Sequence, residues 1–214
     1  MKYIVWDWNG TLLDDVPASV AVMDRLLHRR GLPGLGGIER YREIFTFPVR
    51  EYYQAAGLDF EKEPFEALAV EYIEEYNQRA LDCGLRAGAQ AALQAFAAAG
   101  CQQVLASASE KSALEAQVAQ CGVGDYFAAV LGVGDSLGVS KEGLARAYLN
   151  GVAPESVVFL GDTVHDWEVA RRMDRPCVLA AGGHQSRARL ERTGALVADT
   201  LEEAAQMALC LMAR

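Results

Sequence analysis

Tyr3-Ile4-Val5-Trp6-Asp7-Trp8-Asn9-Gly10-Thr11-Leu12-Leu13 runs from four apolar residues into a carboxylate and then a glycine. A short apolar run bounded by a turn signal reads as a buried strand, here residues 3–7. Open α/β sheets hold ligands just outside the carboxyl ends of their strands, so Asp7 stands where such a sheet keeps its site. A second junction of the same kind lies far along the chain. Val157-Val158-Phe159-Leu160-Gly161 is an apolar strand, and Asp162-Thr163-Val164-His165-Asp166 follows with two more acids.

Working outward, the segments between these junctions fall into two kinds. From about Pro17 to Cys83 the apolar positions recur at helical spacing and no strand is convincing. Val20, Val22, Met23, Leu26 and Leu27 mark an early helix; Phe65, Leu68, Ala69, Tyr72, Ile73 and Tyr76 mark a longer one. Gly34, Gly36 and Gly37 mark a loop between them. After Gly84 strands alternate with helices. Strands are expected at 103–106, 128–131, 157–160, 176–180 and 195–197. Helices are expected at 89–99, 112–120, 141–149, 167–173, 185–192 and 201–212. That alternation predicts an α/β fold, a Rossmann-like parallel sheet with helices on both faces. The core is then residues 1–14 and 84–214, and 15–83 form an inserted all-helical cap. The cap leaves the core just after the Asp7 loop, so it stands over that strand end, where it can exclude water and select substrates.

Composition narrows the function. The chain has 214 residues, 51% hydrophobic and 23% charged, which is ordinary globular usage. A net charge of −9 repels nucleic-acid phosphates and anionic membranes, so neither is expected as a partner. Five scattered cysteines form no C-x-x-C pair, which argues against zinc and a disulfide framework and for small buried thiols in a reducing cytosol. No secretory signal is visible at the start, and no run reaches the ~20 apolar residues of a membrane span.

Each polar residue at a strand end has a plain structural reading and a chemical one. Asp7 is either a turn residue before Asn9-Gly10 or an attacking carboxylate. Asp162 or Thr163 caps a helix and Asp166 favours its first turn, or the acids bind a cation. Mg²⁺ favours oxygen ligands and keeps several waters, so Asp7 and Asp162, with Asp166 direct or through water, suffice for it. Thr11 is a candidate hydrogen-bond donor to a phosphoryl group. Ser107, after Val104-Leu105-Ala106, is another, or else a helix cap, although Ser109 is the better cap candidate. Lys141 opens a helix after Gly138-Val139-Ser140, against the helix dipole. It is one of four lysines, and the violation suits a role neutralising phosphoryl and Asp7 charge.

The set resembles the haloacid dehalogenase-like hydrolase superfamily. Its first motif, D-x-D-G-T, stands here as Asp7-Trp8-Asn9-Gly10-Thr11. The second is the apolar run ending in Ser107, the third Lys141, and the fourth Gly161-Asp162-Thr163-Val164-His165-Asp166. The layout is most similar to the phosphoglycolate phosphatase-like members, and Gly182-Gly183-His184, Leu190 and Gly194-Ala195 fit that group. The resemblance implies a Mg²⁺-dependent phosphatase of a small phosphorylated metabolite working through an aspartyl-phosphate on Asp7. It implies catalytic roles for Asp7, Asn9, Thr11, Ser107 and Lys141. Substrate contacts fall to Ser107, Ala108, Lys141 and Arg50, and metal ligation to Asp7, the Asn9 carbonyl, Asp162 and Asp166. Arg50 comes from Phe45-Thr46-Phe47-Pro48-Val49-Arg50, where the helical pattern breaks. It is read either as a solvated cap residue or as a clamp on a carboxylate or second phosphate.

One departure matters. Most phosphatases of the superfamily carry an acid where this chain has Asn9, and that acid protonates the leaving oxygen and activates water. An amide does neither by ionising. A catalytically weak member that binds phosphorylated ligands or transfers phosphate is therefore the alternative. His165, read as a loop histidine, is a candidate substitute acid. The metal carboxylates argue against a dehalogenase. Lys62, flanked by Glu61 and Glu63, is unsuited to Schiff-base chemistry.

Overall fold

The computed structural model of the chain describes residues 1–134 and 140–213. Six strands form one sheet: β1 (Tyr3–Trp6), β2 (Gln102–Glu110), β3 (Phe127–Val133), β4 (Val157–Gly161), β5 (Cys177–Ala180) and β6 (Leu196–Ala198). Every pairing is parallel, in the order β3-β2-β1-β4-β5-β6. The chain order reverses beside β1, between β1 and β4, which makes that boundary the topological switch point.

Four helices fill the segment after β1: α1 (Val16–His28), α2 (Ile38–Ile44), α3 (Val49–Ala56) and α4 (Phe65–Ala80). Six more cover the sheet: α5 (Ala89–Ala98), α6 (Lys111–Gln120), α7 (Lys141–Tyr148), α8 (Val164–Arg172), α9 (Arg187–Glu191) and α10 (Leu201–Met212).

Strand side chains alternate, so each central strand feeds two cores. Ile4 and Trp6 pack with Leu105, Leu160 and Val178 beneath α5, α6 and α10. Val5 faces the other way, with Ala106, Phe159 and Leu179 beneath α7, α8 and α9. Burial on both faces is why these strands read as unbroken apolar runs. Each fully buried Leu or Phe contributes roughly 1.5–3 kcal/mol over exposure.

The first four helices have a separate core of Val16, Met23, Leu27, Tyr41, Tyr52 and Leu68. Two linkers join them to the sheet side by side. The Asp14 N–H donates to the Gly84 carbonyl at 2.9 Å, and the Arg86 N–H donates to the Leu12 carbonyl at 2.8 Å.

Several sequence expectations shift in detail. Strand β1 ends at Trp6, leaving Asp7 just past it. Between the two helices expected from 17 to 83 the chain forms two more, α2 and α3, with Phe45–Pro48 between them. Helix α6 is capped by Glu110, which accepts from the N–H groups of Ser112 and Ala113, and not by Ser109. Helix α8 begins at Val164 instead of Trp167. Thr163 and Asp166 close a reciprocal capping box there, which places His165 in a helical first turn instead of a loop. Cys101 and Cys177 are buried, but Cys210 is exposed. Gly138 and Val139, expected before Lys141, lie outside the described residues.

Candidate active site

Register brings the strand ends level. Trp6 pairs with Leu105 on one side and with Leu160 on the other. The Asp7 N–H donates to the Leu160 carbonyl at 2.8 Å, so the Asp7 loop is still tied to β4 as it leaves the sheet. Carboxylate oxygens of Asp7, Asp162 and Asp166 all lie within 4.8 Å of one another. These are three residues from two strand ends, at the switch point.

Lys141 explains its own awkward position. It is the first residue of α7, yet only 5% exposed, and its Nζ donates to Asp7 Oδ1 at 2.5 Å and Asp166 Oδ1 at 2.6 Å. Two carboxylates outweigh an opposing helix dipole. The other Asp166 oxygen accepts from the Thr163 hydroxyl at 2.6 Å and the Thr163 N–H at 3.0 Å. Thr11 is fully buried, its hydroxyl 2.8 Å from Asp162 Oδ1 and 3.1 Å from Asp7 Oδ2. It braces two carboxylates from behind and does not line the cavity.

The charge in this cluster is unbalanced. Burial, and then Asp166, push Asp7 up to about 8, although Lys141 pulls it down. Asp162 is also raised, chiefly by burial. For Asp166, burial is outweighed by Lys141 and the carboxyl is held low. Burial alone would lower Lys141, but Asp166 and Asp7 raise it. Lys141 pairs with Asp7 and Asp166, and Asp162 accepts from the His184 N–H at 2.6 Å, so three clustered carboxylates have one lysine in contact and favour a further positive charge. Its donors are all carboxylate oxygens, which suits a hard cation such as Mg²⁺.

A second network shares the lining of the same cavity. The Asn9 amide donates to the Tyr76 hydroxyl at 2.6 Å and approaches Asp15 Oδ2 at 3.4 Å. Its oxygen accepts from Ser109 at 2.8 Å and Ser107 at 3.2 Å. Tyr76 donates on to Asp15 Oδ2 at 2.6 Å, and the Gly10 N–H donates to Asp15 Oδ1 at 2.6 Å. His184 Nε2 lies 3.4 Å from Asp15 Oδ2, and its Nδ1 is 2.6 Å from the Tyr41 hydroxyl. Burial would raise Asp15 and lower His184, but each is overcome by the other. Asp15 is held low, and His184 is pushed up to about 9. This side is an ion pair that is already neutral.

Backbone crowds both networks. The Cβ that a side chain would add at Gly10 would strike His184 and Asp162. At Gly161 it would strike Asp166, and at Gly183 it would strike Asp162. Gly10 also holds φ +69°, the left-handed region.

These groups open into a cavity of about 490 Å³. Asp7, Asn9, Ser107, Ala108, Lys141 and Asp166 line it, as does His165, whose ring lies against Phe47 at 4.8 Å. Asp162 sits behind it, fully buried. Arg50 does not reach it. Its guanidinium lies 4.5 Å over the Phe60 ring and 3.7 Å from Glu66. Trp8 packs inward, donating to Gln117 at 2.8 Å. Asp15, Tyr76 and His184 also line the cavity, and no strand-end motif marks them in the sequence. The available signal for Asp15 was a second acid directly after Asp14, just ahead of a helix that it does not cap.

Comparison with known proteins agrees with this geometry. The family model for the haloacid dehalogenase-like hydrolases matches residues 1–174. A phosphoglycolate phosphatase from Rhodobacter capsulatus is 27% identical over 188 residues, 85% of each chain. An N-acetylmuramic acid 6-phosphate phosphatase from Pseudomonas putida is 31% identical over 86 residues, 40% of this chain and 37% of that one. A haloacid dehalogenase-like hydrolase structure from Streptococcus pneumoniae superposes with TM-score 0.81 at 17% identity, covering 97% of this chain and 98% of that one. The motif order, the switch-point carboxylates and the matched span lead to one family: the chain belongs to the haloacid dehalogenase-like hydrolases.

Proposed function

We propose that this hydrolase is a phosphomonoesterase of a small phosphorylated metabolite, and that residues 15–83 act as its cap. The observation that carries the reading is Asp7, at the open end of β1, sharing Lys141 with Asp166 beside Asp162. An Asp7 carboxylate oxygen attacks phosphorus, the new O–P bond forms as the ester O–P bond breaks, and the departing oxygen takes its proton from solvent water. Water then attacks that acyl phosphate, releasing inorganic phosphate and regenerating Asp7. Lys141 holds Asp7 in its attacking position and offsets charge gathering on the phosphoryl oxygens. Ser107 and the backbone around Ala108 orient those oxygens. Mg²⁺, held by Asp7, the Asn9 carbonyl, Asp162 and Asp166, would polarise the phosphoryl group and lower its charge.

The Asn9 amide does not ionise, so leaving-group protonation and water activation lack a residue at that position. General acid–base help is typically worth about 10²–10⁴-fold, and turnover is slowed accordingly. The saturated hydrogen bonding of Asn9 favours a second reading, a protein that binds or transfers phosphate with little hydrolysis. The names of relatives suggest phosphoglycolate as one substrate to test. The five free cysteines suit a reducing cytosol as its location.

The deciding experiment is phosphate release from a panel of phosphomonoesters, with Mg²⁺ and with chelator, on the wild type and Asp7→Asn. Chelator-sensitive turnover that Asp7→Asn abolishes is the expected result. An active Asp7→Asn protein removes the nucleophile, and a silent wild type that binds phosphoesters tightly selects the second reading.

A further inference from the structure

The far wall of the cavity, supplied by the helical segment, is apolar. Phe45, Phe47, Pro48, Val49, Tyr72 and Ile73 line it. A leaving group must lie against this wall when the phosphoryl group sits at Asp7. What the wall lacks is as informative as what it has. A bound carboxylate or second phosphate needs a cation of its own, since a buried unpaired charge is strongly disfavoured.

Every cationic group near the cavity is already engaged. Lys141 is fixed between Asp7 and Asp166. His184 is paired with Asp15. His165 packs against Phe47 at a tilt of 31°, with Nδ1 4.0 Å from Glu168. No arginine is among the described residues that line the cavity. Arg42 donates to the carbonyls of Gly182 and Gly183, and Arg86 to those of Gly10 and Ala181. Arg189 is bound to the Phe45 carbonyl and the Thr46 hydroxyl. Arg50 rests on Phe60. Among the described residues no lining cation is left for a second anion.

We propose that the substrate is a monophosphate of an uncharged apolar or aromatic alcohol, not of a hydroxy acid such as glycolate. This rests on the phosphomonoesterase reading and assigns the substrate class of that site. Size agrees with it. A cavity of about 490 Å³ falls within the range that encloses ligands far larger than a two-carbon acid. The aromatic side chains supply flat apolar faces for such a group.

The test compares benzyl phosphate, n-hexyl phosphate and phosphoglycolate with Mg²⁺ present. All three leave as alkyl alcohols, so the comparison reads recognition more than leaving-group strength. Both kcat/KM and, by titration calorimetry, Kd are measured. The expected result is a preference of at least about tenfold for benzyl or hexyl phosphate over phosphoglycolate. Their relative order separates an aromatic from an aliphatic substrate. Ile73→Arg, at a half-exposed position on the wall, adds a free cation and should shift the ratio toward phosphoglycolate by roughly fivefold. Turnover with equal or better use of phosphoglycolate overturns this assignment while leaving the phosphatase reading intact. Silence toward all three overturns the phosphatase reading, and the order of Kd values then decides the recognition claim. No binding of benzyl or hexyl phosphate overturns it.

Discussion

Two sides of one cavity solve the problem of buried charge in opposite ways. On the Lys141 side, a lysine paired with Asp7 and Asp166 faces a third carboxylate, Asp162, and burial together with Asp166 pushes Asp7 up to about 8. On the Asn9 side, Asp15 and His184 neutralise each other, and Tyr76 and Asn9 fill the remaining hydrogen-bonding capacity. The first is built wholly from the sheet and its helices and is complete only with more positive charge. The second joins the β1 loop to α2 and α4 through Tyr41 and Tyr76, and is complete as it stands. Unbalanced charge marks where binding and chemistry are to be sought; balanced charge marks where helices α2 and α4 are fastened to the β1 loop.

The largest expected effect breaks the unbalanced side. Asp7→Asn should reduce phosphate release by about 10³-fold or more while circular dichroism shows an intact fold. Lys141→Met comes next. It leaves buried carboxylates without their cation, and removing one partner of a buried pair costs about 3–5 kcal/mol. Denaturant titration in chelator should show that loss, and added Mg²⁺ should restore part of it.

The third prediction crosses the two sides. Asn9→Asp alone sets a new carboxylate where the amide now lies 3.4 Å from Asp15 Oδ2, so its gain in turnover should stay below about tenfold. Adding Asp15→Asn removes the opposing charge, and the double variant should approach a gain of about 10²-fold. Equal gains for single and double variants would mean that Asp15 does not restrain position 9.

Smaller effects test the balanced side alone. His184 has its pKa raised to about 9 in the folded protein. Its stabilisation is complete below its ordinary value near 6.5 and is lost as pH rises through about 9. Thermal melts in chelator should therefore show a decline between pH 7 and 9 that is smaller in His184→Asn by about 1–3 kcal/mol, the remainder belonging to Asp7. Tyr76→Phe should cost about 1–2 kcal/mol, because it removes the donor to Asp15 and the acceptor for Asn9.

The same contrast explains what could be read from the sequence. The Lys141 side was legible because its residues sit at strand-to-helix junctions, where apolar runs end in Asp7, Ser107 or Gly161-Asp162. Lys141 declared itself by opposing a helix dipole. The Asn9 side was not legible. Asp15, Tyr76 and His184 meet only after folding, with Asp15 and Tyr76 61 positions apart and Tyr41 and His184 143 positions apart. An acid beside Asp14 ahead of a helix looks like a cap until its partners are known. Helix starts moved for a local reason: reciprocal capping by Thr163 and Asp166 drew His165 into α8. Arg50 looked like a substrate clamp by its loop, but Phe60 and Glu66 compete for it nearby.

The glycines pressed against the carboxylates carry a last consequence, one for evolution. Positions 10, 161 and 183 accept no added carbon, although only Gly10 of the three needs a left-handed backbone. In a saturation library these codons should stay fixed while Val49 and Ile73 on the opposite wall vary freely. Descendants of this chain can therefore change what they act on far more readily than where they act.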